Sequence, residues 1–466
     1  MATRLGLYQT VLDTNTLLRT KRQIVVKFIV QVKRDALSLK EVKIKLEEIL
    51  FSRKYTQFHH EIVSEVVTYQ PEIILNWLNR EKKYLESSYY MGLYFALLTQ
   101  YQSSKLVSIL NIRLITNFSI EKANIDQLCL ISNILYVNLY EKLENINHMF
   151  SKFSLSKIGL DNLSLGFQVN NYTLNLQNIS TIDSQALNKV SIIVTAYNAE
   201  ETLRGCIESL LYQTWSNIEV IIVNDCSTDM TLMIAKQLQS LDNRIIVVDL
   251  PRNVGTFVAK SIGALYVTGE FVTCQDSDDW AHPEKIYEQI FPLIQNQDLV
   301  ATTSYWLRID KQGVYHARHI YPFFRQNPAS PMFRFNTVKN EVGLWHIIRT
   351  GADSEFIERL KLIYGKNKIQ IIKKPLTIGS HRENSLMTSD KYGAYNKNSL
   401  LERLDYWEAW RKWHIESFRH YKHVFMPNIK KQVQQKRDVF SGTPENLKID
   451  KQDVKISIYK HQVFYK

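Results

Sequence analysis

Gly269-Glu-Phe-Val-Thr-Cys-Gln-Asp276-Ser277-Asp278-Asp279-Trp280 carries an apolar run straight into a cluster of acids. Phe271 to Cys274 has the pattern of a buried strand, and it delivers three carboxylates at its C-terminal end. Acids packed together repel one another, so their usual justification is a cation that needs them. An all-oxygen set suits a hard divalent ion such as Mg²⁺ or Mn²⁺. In open α/β sheets the ligand crevice lies just beyond the carboxyl ends of the strands, where this cluster would sit. Read alone, Asp278 and Asp279 serve equally well as caps of a helix beginning near Pro283. The flanking sequence shifts the balance.

Upstream, β-branched runs alternate with amphipathic helices. Val190-Ser-Ile-Ile-Val-Thr-Ala is followed by a helix over 200–213, and Ile218-Glu-Val-Ile-Ile-Val by a helix over 228–240. Arg244-Ile-Ile-Val-Val-Asp precedes a helix over 254–267, and the acid-bearing strand comes next. This alternation predicts an α/β fold whose parallel sheet is covered on both faces. Residues 1–185 are different: Gly and Pro are scarce, and apolar residues recur at three- and four-residue spacing in 24–32, 42–50, 73–85, 89–98 and 106–115. They read as a stack of short antiparallel helices. Asn162 to Lys189 is polar and reads as a linker. The expected division is a helical unit and linker over 1–185, an α/β domain over 186–395, and a C-terminal helix with a basic tail over 396–466.

The 466 residues, 45% hydrophobic and 11% aromatic, suffice for two or three domains with a substantial core. No run of about 18 apolar residues predicts a membrane span, and the first residues lack the apolar core of a signal peptide. Cys129, Cys206, Cys226 and Cys274 show no close pairing and read as reduced thiols of a cytoplasmic protein. The net charge is +12, and from Arg419 to Lys466 eleven Lys and Arg stand against four Asp and Glu. Such a tail serves an anionic membrane surface, a polyanionic product or nucleic acid, or is simply a solvated, partly disordered end. No nucleic-acid motif accompanies the charge, so nucleic acid is not the expected partner.

A nucleotide site on this sheet would be built from the loops after successive strands. The first is Thr195-Ala196-Tyr197-Asn198, with an aromatic ring to stack on a base or ribose and an amide to bond it or to cap the next helix. The second is Asn224-Asp225-Cys-Ser227-Thr228-Asp229, whose first free acid can accept from a base N–H. The third is Arg252-Asn253-Val254-Gly255, where Arg252 offers charge to a phosphate and Gly255 close backbone approach. Lys260 follows one helical turn on. No loop reads G-x-G-x-x-G or G-x-x-x-x-G-K-[ST], which argues against dinucleotide-binding and P-loop alternatives.

Val190-Ser-Ile-Ile-Val-Thr-Ala-Tyr-Asn, Ile221-Ile-Val-Asn-Asp-Cys-Ser-Thr-Asp, Asn253-Val-Gly and Asp276-Ser-Asp-Asp occur in this order and spacing. Together they resemble the family 2 glycosyltransferases with a GT-A fold, over roughly residues 188–390. The resemblance implies a Rossmann-like mixed sheet covered by helices, preceded here by an all-α N-terminal unit. It implies a nucleotide-sugar donor, of which a UDP-sugar is the expected one, and Mn²⁺ or Mg²⁺ as cofactor. Ala196, Tyr197, Asn198, Asp225, Arg252, Asn253, Gly255, Lys260, Asp276, Ser277 and Arg382 would line the donor site, with Asp225 the partner of a uracil N3–H. Asp276-Ser-Asp278 matches the DxD motif: Asp278 would ligate the metal and Asp276 the ribose or a metal-bound water. Asn224 departs from the pattern, since many relatives carry a second acid there.

Further on, Arg349-Thr-Gly-Ala-Asp353-Ser-Glu355 resembles the acidic motif on the acceptor side. Inverting glycosyl transfer needs a base to take the acceptor hydroxyl proton. Asp353 is the expected base and Glu355 its substitute, while Asp353 also reads as a helix N-cap. Gly379-Ser-His381-Arg382 is similar to the segment that closes over metal or diphosphate, with His381 as a further metal ligand. His282-Pro283 reads as a helix start. His316, Arg318, His319, Arg325 and Arg334 read as a surface segment or as a face for an anionic acceptor. Trp345, Trp407, Trp410 and Trp413 read as sugar platforms, or, for the last three, as the buried stripe of a helix. The expected activity is metal-dependent transfer to a glycan or lipid-linked acceptor in bacterial surface-polysaccharide synthesis, with peripheral membrane contact through the tail. A GT-A-like scaffold without catalysis is the competing expectation.

Overall fold

The computed structural model describes residues 20–101, 121, 123–174, 188–317, 320–382, 393, 396–420 and 422–466. The expected helix over 106–115, the pair Arg318 and His319, and the stretch 383–389 lie outside the described residues.

Local signals explain where the first helices begin. Capping boxes built on Thr20 and Gln23 and on Ser38 and Glu41 start α1 (Lys21–Lys33) and α2 (Leu39–Phe51). After α3 (His59–Val66), Pro71 occupies the first turn of α4 (Pro71–Arg80), where its missing N–H is not needed. α5 (Ser88–Tyr101) follows, then α6 (Ile125–Leu135) behind a third capping box on Asn124 and Gln127. α7 (Leu139–Ser151) completes the helical unit as described. The polar stretch expected to be a linker is structured where it is described. β1 (Ile158–Leu160) pairs with β2 (Tyr172–Leu174), and Phe167, Val169 and Asn171 between them are buried.

The α/β part then unfolds in order: β3 (Val190–Ala196), α8 (Leu203–Leu211), β4 (Ile218–Asn224), α9 (Thr231–Leu241), β5 (Ile245–Asp249), α10 (Thr256–Gly263) and β6 (Phe271–Asp276). β7 (Asp279–Ala281), α11 (Lys285–Gln295), β8 (Ala301–Ile309), β9 (Arg325–Gln326), β10 (Met332–Arg334), α12 (Phe335–Glu341), α13 (Ala352–Tyr364) and β11 (Ile369–Ser380) follow. The chain closes with α14 (Lys397–Arg419), α15 (Ile429–Gln434), α16 (Lys451–Lys460) and β12 (Gln462–Phe464). The sheet runs β12-β5-β4-β3-β6-β10-β8-β11-β7, with β9 paired beside β8. β5, β4, β3 and β6 are mutually parallel, and β10 is antiparallel to both β6 and β8. This mixed sheet with its helices is the architecture that the resemblance implies.

Why the strands read as continuous apolar runs is visible in their two faces. Ile192, Val194, Val220, Ile222 and Val247 face a core shared with α8, α11 and the N-terminal helices. Ile193, Ile221, Val223 and Val248 face a second core with α10, α12, α13 and the C-terminal segment. Successive residues point to opposite faces, and both faces are dry, so alternation in polarity disappears. The two ends of the chain therefore cover opposite faces of one sheet.

Several local expectations are corrected. Asp278 and Asp279 cap no helix: Asp279 opens β7, whose Gly379 partner lies on β11, and the next helix begins at Lys285 behind Glu284. Pro283 thus precedes the helix rather than sitting in its first turn. β11 is one strand, whose register shifts around Pro375 because proline cannot donate to the ladder. The basic tail is not a solvated end. It forms α16 and the edge strand β12, antiparallel to β5, with Lys236 Nζ 3.8 Å above the Phe464 ring. Trp345 and Trp410 are buried in the second core, where no sugar reaches them. Cys129, Cys206 and Cys274 are buried free thiols, and Cys226 is half-buried.

Candidate active site

Register places the ends of four strands level with one another. Asp276 pairs with Thr195, Asn224 with Ala196, and Asp249 with Asn224. Because β4 and β5 lie on one side of β3 and β6 on the other, the loops after β3 and β6 part at the switch point, the usual place of a ligand crevice. Two non-glycine residues in these loops hold positive φ: Asn198 at 46° and Cys226 at 60°. Such conformations cost free energy and cluster at functional sites.

The loops are tied into one rim. Asn198 Oδ1 accepts from Thr228 N at 2.9 Å, and its own N–H donates to Ser227 Oγ at 3.0 Å. Tyr197 beside it is half exposed, at 51%. Asp225 is buried, and its two oxygens accept from Val254 N and Gly255 N, each at 2.7 Å. Desolvation pushes its carboxyl up to about 6, against those two hydrogen bonds and the charge of Arg349. Arg349 Nη1 donates to Asn253 Oδ1 at 2.7 Å, and Asn253 Nδ2 to Asp225 O at 3.1 Å. Gly255 stands at φ 79°, and a Cβ there would meet the Arg349 side chain at 3.4 Å. Its close approach is thus to that guanidinium. Arg252 leans on Asp453 of α16 at 3.7 Å. Asn224, the departure from the pattern, donates to Asp249 Oδ1 at 2.7 Å and so pins the strand ends together.

The acids sit on a bed of cations. Lys260 is buried, with Nζ 3.3 Å from Asp276 Oδ1. Burial alone would lower its pKa, but the charges of Asp276 and, further off, Asp353 hold it above the ordinary lysine value. Arg382 Nε lies 3.2 Å from Asp278 Oδ2. Asp276 and Asp278 keep 38% and 20% of their side-chain surface open, whereas Asp279 is buried and accepts from Ser380 N at 3.3 Å. Burial and the charges of Asp278 and Asp276 push its carboxyl well above the usual range. Ser277 between them is buried.

These loops lie within residues 191–356, which match the family Glycosyl transferase family 2. The chain carries a family 2 glycosyltransferase domain. It is 33% identical over 128 residues to glycosyltransferase GlyA of Streptococcus pneumoniae, covering 28% of this chain and 18% of that protein. It is 36% identical over 118 residues to TuaG of Bacillus subtilis, a proposed teichuronic acid biosynthesis glycosyltransferase, covering 25% and 47%. The chain thus spans less than half of the length of either relative. A crystal structure of S. aureus TarS 1-349 in complex with UDP-GlcNAc is similar at TM-score 0.36 and 22% identity, over 47% of this chain and 72% of that chain.

Near the end of the matched stretch, Asp353 lies in the first turn of α13, whose N-cap is Gly351 at φ 91°, so Asp353 is not the cap. Its charge reaches both Lys260 and Tyr406. Glu355, two residues on, is fully buried. It takes Arg359 Nε on Oε1 at 2.7 Å and Arg359 Nη2 on Oε2 at 2.9 Å, with His414 Nε2 3.0 Å from Oε1. Burial would raise its pKa, but Arg359 and His414 bring it to about 2. Arg359 also donates to the carbonyls of Val342 and Gly343, at 2.6 and 3.0 Å. A carboxylate held this way is a strut rather than a base.

His381 is not gathered with the acids; among the described residues no three His, Cys, Asp or Glu side chains form a metal cluster. Its ring stacks on His316 at 3.7 Å. Burial, with the charges of His316 and Arg308, lowers it to about 4, which keeps the imidazole neutral. The donor set nevertheless fits a hard divalent ion: Asp276 and Asp278 offer part-open carboxylates, and Mg²⁺ or Mn²⁺ takes one or two such groups together with substrate phosphates. Lys260 and Arg382 supply positive charge at the same oxygens.

Sequence reasoning missed Arg349, Arg308 and Lys285 as parts of the site. Arg308 Nη2 donates to Ser380 O at 3.3 Å and its charge opposes that of Asp279. Lys285 is buried beside Gln275, and desolvation lowers it to about 8 despite the charge of Asp279. A signal for Lys285 did exist: Lys285, Gln289 and Leu293 recur every four residues on the face that buries Ile286 and Ile290.

Proposed function

We propose that this protein is a metal-dependent inverting glycosyltransferase, moving a sugar from a nucleotide-diphosphate sugar to an acceptor hydroxyl. The observation that carries the reading is the Lys260–Asp276 pair, with the open Asp278 beside it and the charge of Asp353 reaching Lys260. On this reading the donor-binding and acceptor-side groups would share one strand end. Asp225 would take the base N3–H, which favours a uridine nucleotide, and Tyr197 would stack on the base. Asp276 and Asp278 would hold Mn²⁺ or Mg²⁺, which when bound offsets charge developing on the departing diphosphate. Arg382 would add to that charge offset, and His381 would stand by as a neutral group near the diphosphate.

Asp353 would take the proton of the acceptor O–H as that oxygen bonds to the anomeric carbon. The bond from that carbon to the diphosphate oxygen breaks with its electron pair on the nucleotide, so configuration inverts. The acceptor class, a glycan or lipid-linked hydroxyl of a bacterial surface polysaccharide, is supported by the sequence likeness to TuaG, whose description assigns it to teichuronic acid biosynthesis. Among the described residues no helix is long and apolar enough to cross a membrane. The test is hydrolysis of a panel of nucleotide-sugars with Mn²⁺, Mg²⁺ or EDTA, beside Asp278→Ala. Cleavage of one donor that vanishes with EDTA and in Asp278→Ala, at unchanged melting temperature, is expected. No cleavage, together with no Mn²⁺-dependent UDP binding, would overturn the reading.

A further inference from the structure

We propose that His316 is a positioning residue for His381, and that the N-terminal helical unit holds it in place. The inference rests on the reading of His381 as a group beside the donor diphosphate, and gives the helical unit a task in that site.

The chain turns back at the end of β8. Asp310 Oδ1 accepts from Gln312 N and Val314 N, each at 2.9 Å, and Gly313 takes φ 73°. Tyr315 then bridges to Ile309, and His316 N donates to Arg308 O at 2.9 Å. On the other side of β8, β11 ends with Ser380 level with Ile309, and His381 N donates to Ile309 O at 2.9 Å. The two imidazoles thus meet over the end of one strand, 3.7 Å apart and 15° from parallel. His316 cannot spin freely, because its Nε2 lies 2.9 Å from Asp310 Oδ2.

The turn itself is gripped from outside the sheet. Asn133 of α6 donates Nδ2 to Tyr315 O at 2.9 Å and accepts Tyr315 N on Oδ1 at 2.7 Å. A side-chain amide that satisfies both backbone groups of one residue fixes that peptide as a strand partner would. Lys142 of α7 donates to Gln312 O at 2.8 Å, and Phe167 N to Lys311 O at 3.1 Å. Three separate N-terminal elements therefore hold the turn that leads into His316, at Lys311, Gln312 and Tyr315. Arg382, which takes Asp278, follows directly after His381.

The experiment is calorimetric UDP binding with Mn²⁺ in the full chain, alongside the His381 side-chain imidazole resonance in metal-free protein. The partners that orient metal-bound histidines are typically worth about tenfold or more in affinity, and the same order is expected for a histidine beside the diphosphate. His316→Ala is expected to weaken UDP binding about tenfold and to shift the His381 resonance, while His316→Phe, which keeps the stack, retains affinity to within about twofold. The double variant with His381→Ala is expected to bind no worse than His381→Ala alone, since the two rings act as one unit. Asn133→Ala should move the same resonance in the same direction. An unmoved resonance in folded His316→Ala, or losses that multiply in the double variant, would overturn the proposal. Wild-type protein that binds no UDP defeats the donor reading instead, and the resonance still decides the positioning role.

Discussion

The carboxylate of Glu355 is closed on the guanidinium of Arg359, with Oε1 to Nε at 2.7 Å and neither side chain open to solvent. Asp353 stands two residues closer to the helix start, and its charge reaches Lys260 instead. Two acids, two residues apart, have been given different tasks by their surroundings.

These two acids should therefore fail differently. Asp353→Asn is expected to abolish transfer while leaving the melting temperature within a few degrees. Glu355→Gln is expected to destabilise by about 3–5 kcal/mol, the usual cost of breaking a buried pair from one side. The depressed Glu355 carboxyl also contributes stability that is full above about 4.5 and is lost as pH falls towards about 2. Denaturant unfolding at pH 7 and pH 3, beside transfer assays, separates the two. An inactive but equally stable Glu355→Gln would return Glu355 to the chemistry.

Asp225 predicts the opposite pH sense. Its folded carboxyl stands at about 6, above its ordinary value of 3.8, so the folded state holds this proton more tightly. Its contribution to stability is present below about 4 and is lost as pH rises through about 6. Nucleotide binding should run the other way, because only the carboxylate accepts a base N3–H without competition from its own proton. UDP affinity is expected to climb between pH 5 and pH 7, with the climb reduced in Asp225→Asn. Titration calorimetry at a series of pH values measures it, and parallel profiles for the two proteins would count against a base-reading role.

How much of this could be read from residues alone follows from the range of each interaction. The four parallel strands were legible because β-branched runs such as Val190–Ala196 leave no alternative at that length. β7 was not, since Asp279-Trp-Ala is three residues long and exists only through Thr377 to Gly379 on β11, about a hundred positions away. The same holds for β12, whose lysine-rich surroundings read as a free tail while Val463 pairs with Val248. Glu355 and Arg359 four apart could be seen as a helix pair, but their burial depends on α14 bringing His414 over them. The docking of α6 on the Tyr315 turn left no local mark, because Asn133 is an ordinary polar residue until both of its amide atoms find one backbone.

On the proposed reading, Lys260 and a divalent ion would compete to neutralise the same carboxylate. Lys260→Met removes the buried ammonium beside Asp276, leaving Asp276 and Asp278 with less positive charge. Without metal, this variant is expected to lose about 1–2 kcal/mol, less than a fully buried pair because Asp276 stays partly solvated. Added Mn²⁺ should then raise its melting temperature more than it raises that of the wild type, since binding to the folded state alone stabilises it. Thermal unfolding with and without 1–5 equivalents (about that range) of Mn²⁺ is the measurement. Equal shifts in both proteins would mean that the ion does not share these oxygens.

The last five residues close an edge. β12 covers the outer side of β5, Lys466 Nζ donates to Leu241 O at 3.2 Å, and Lys236 sits over Phe464. Removing residues 462–466 exposes β5, whose unpaired N–H and C=O groups would offer a template to a second chain. Truncation is expected to cost roughly 1–3 kcal/mol, in the range of single structural losses. It should also bring concentration-dependent association, seen by light scattering. Replacing Lys455 and Lys460 with Gln keeps the strand and the Lys466 hydrogen bond and removes only charge. That variant should stay monodisperse to the same degree as the parent, and equal aggregation of both variants would place the effect in the charge rather than in the edge.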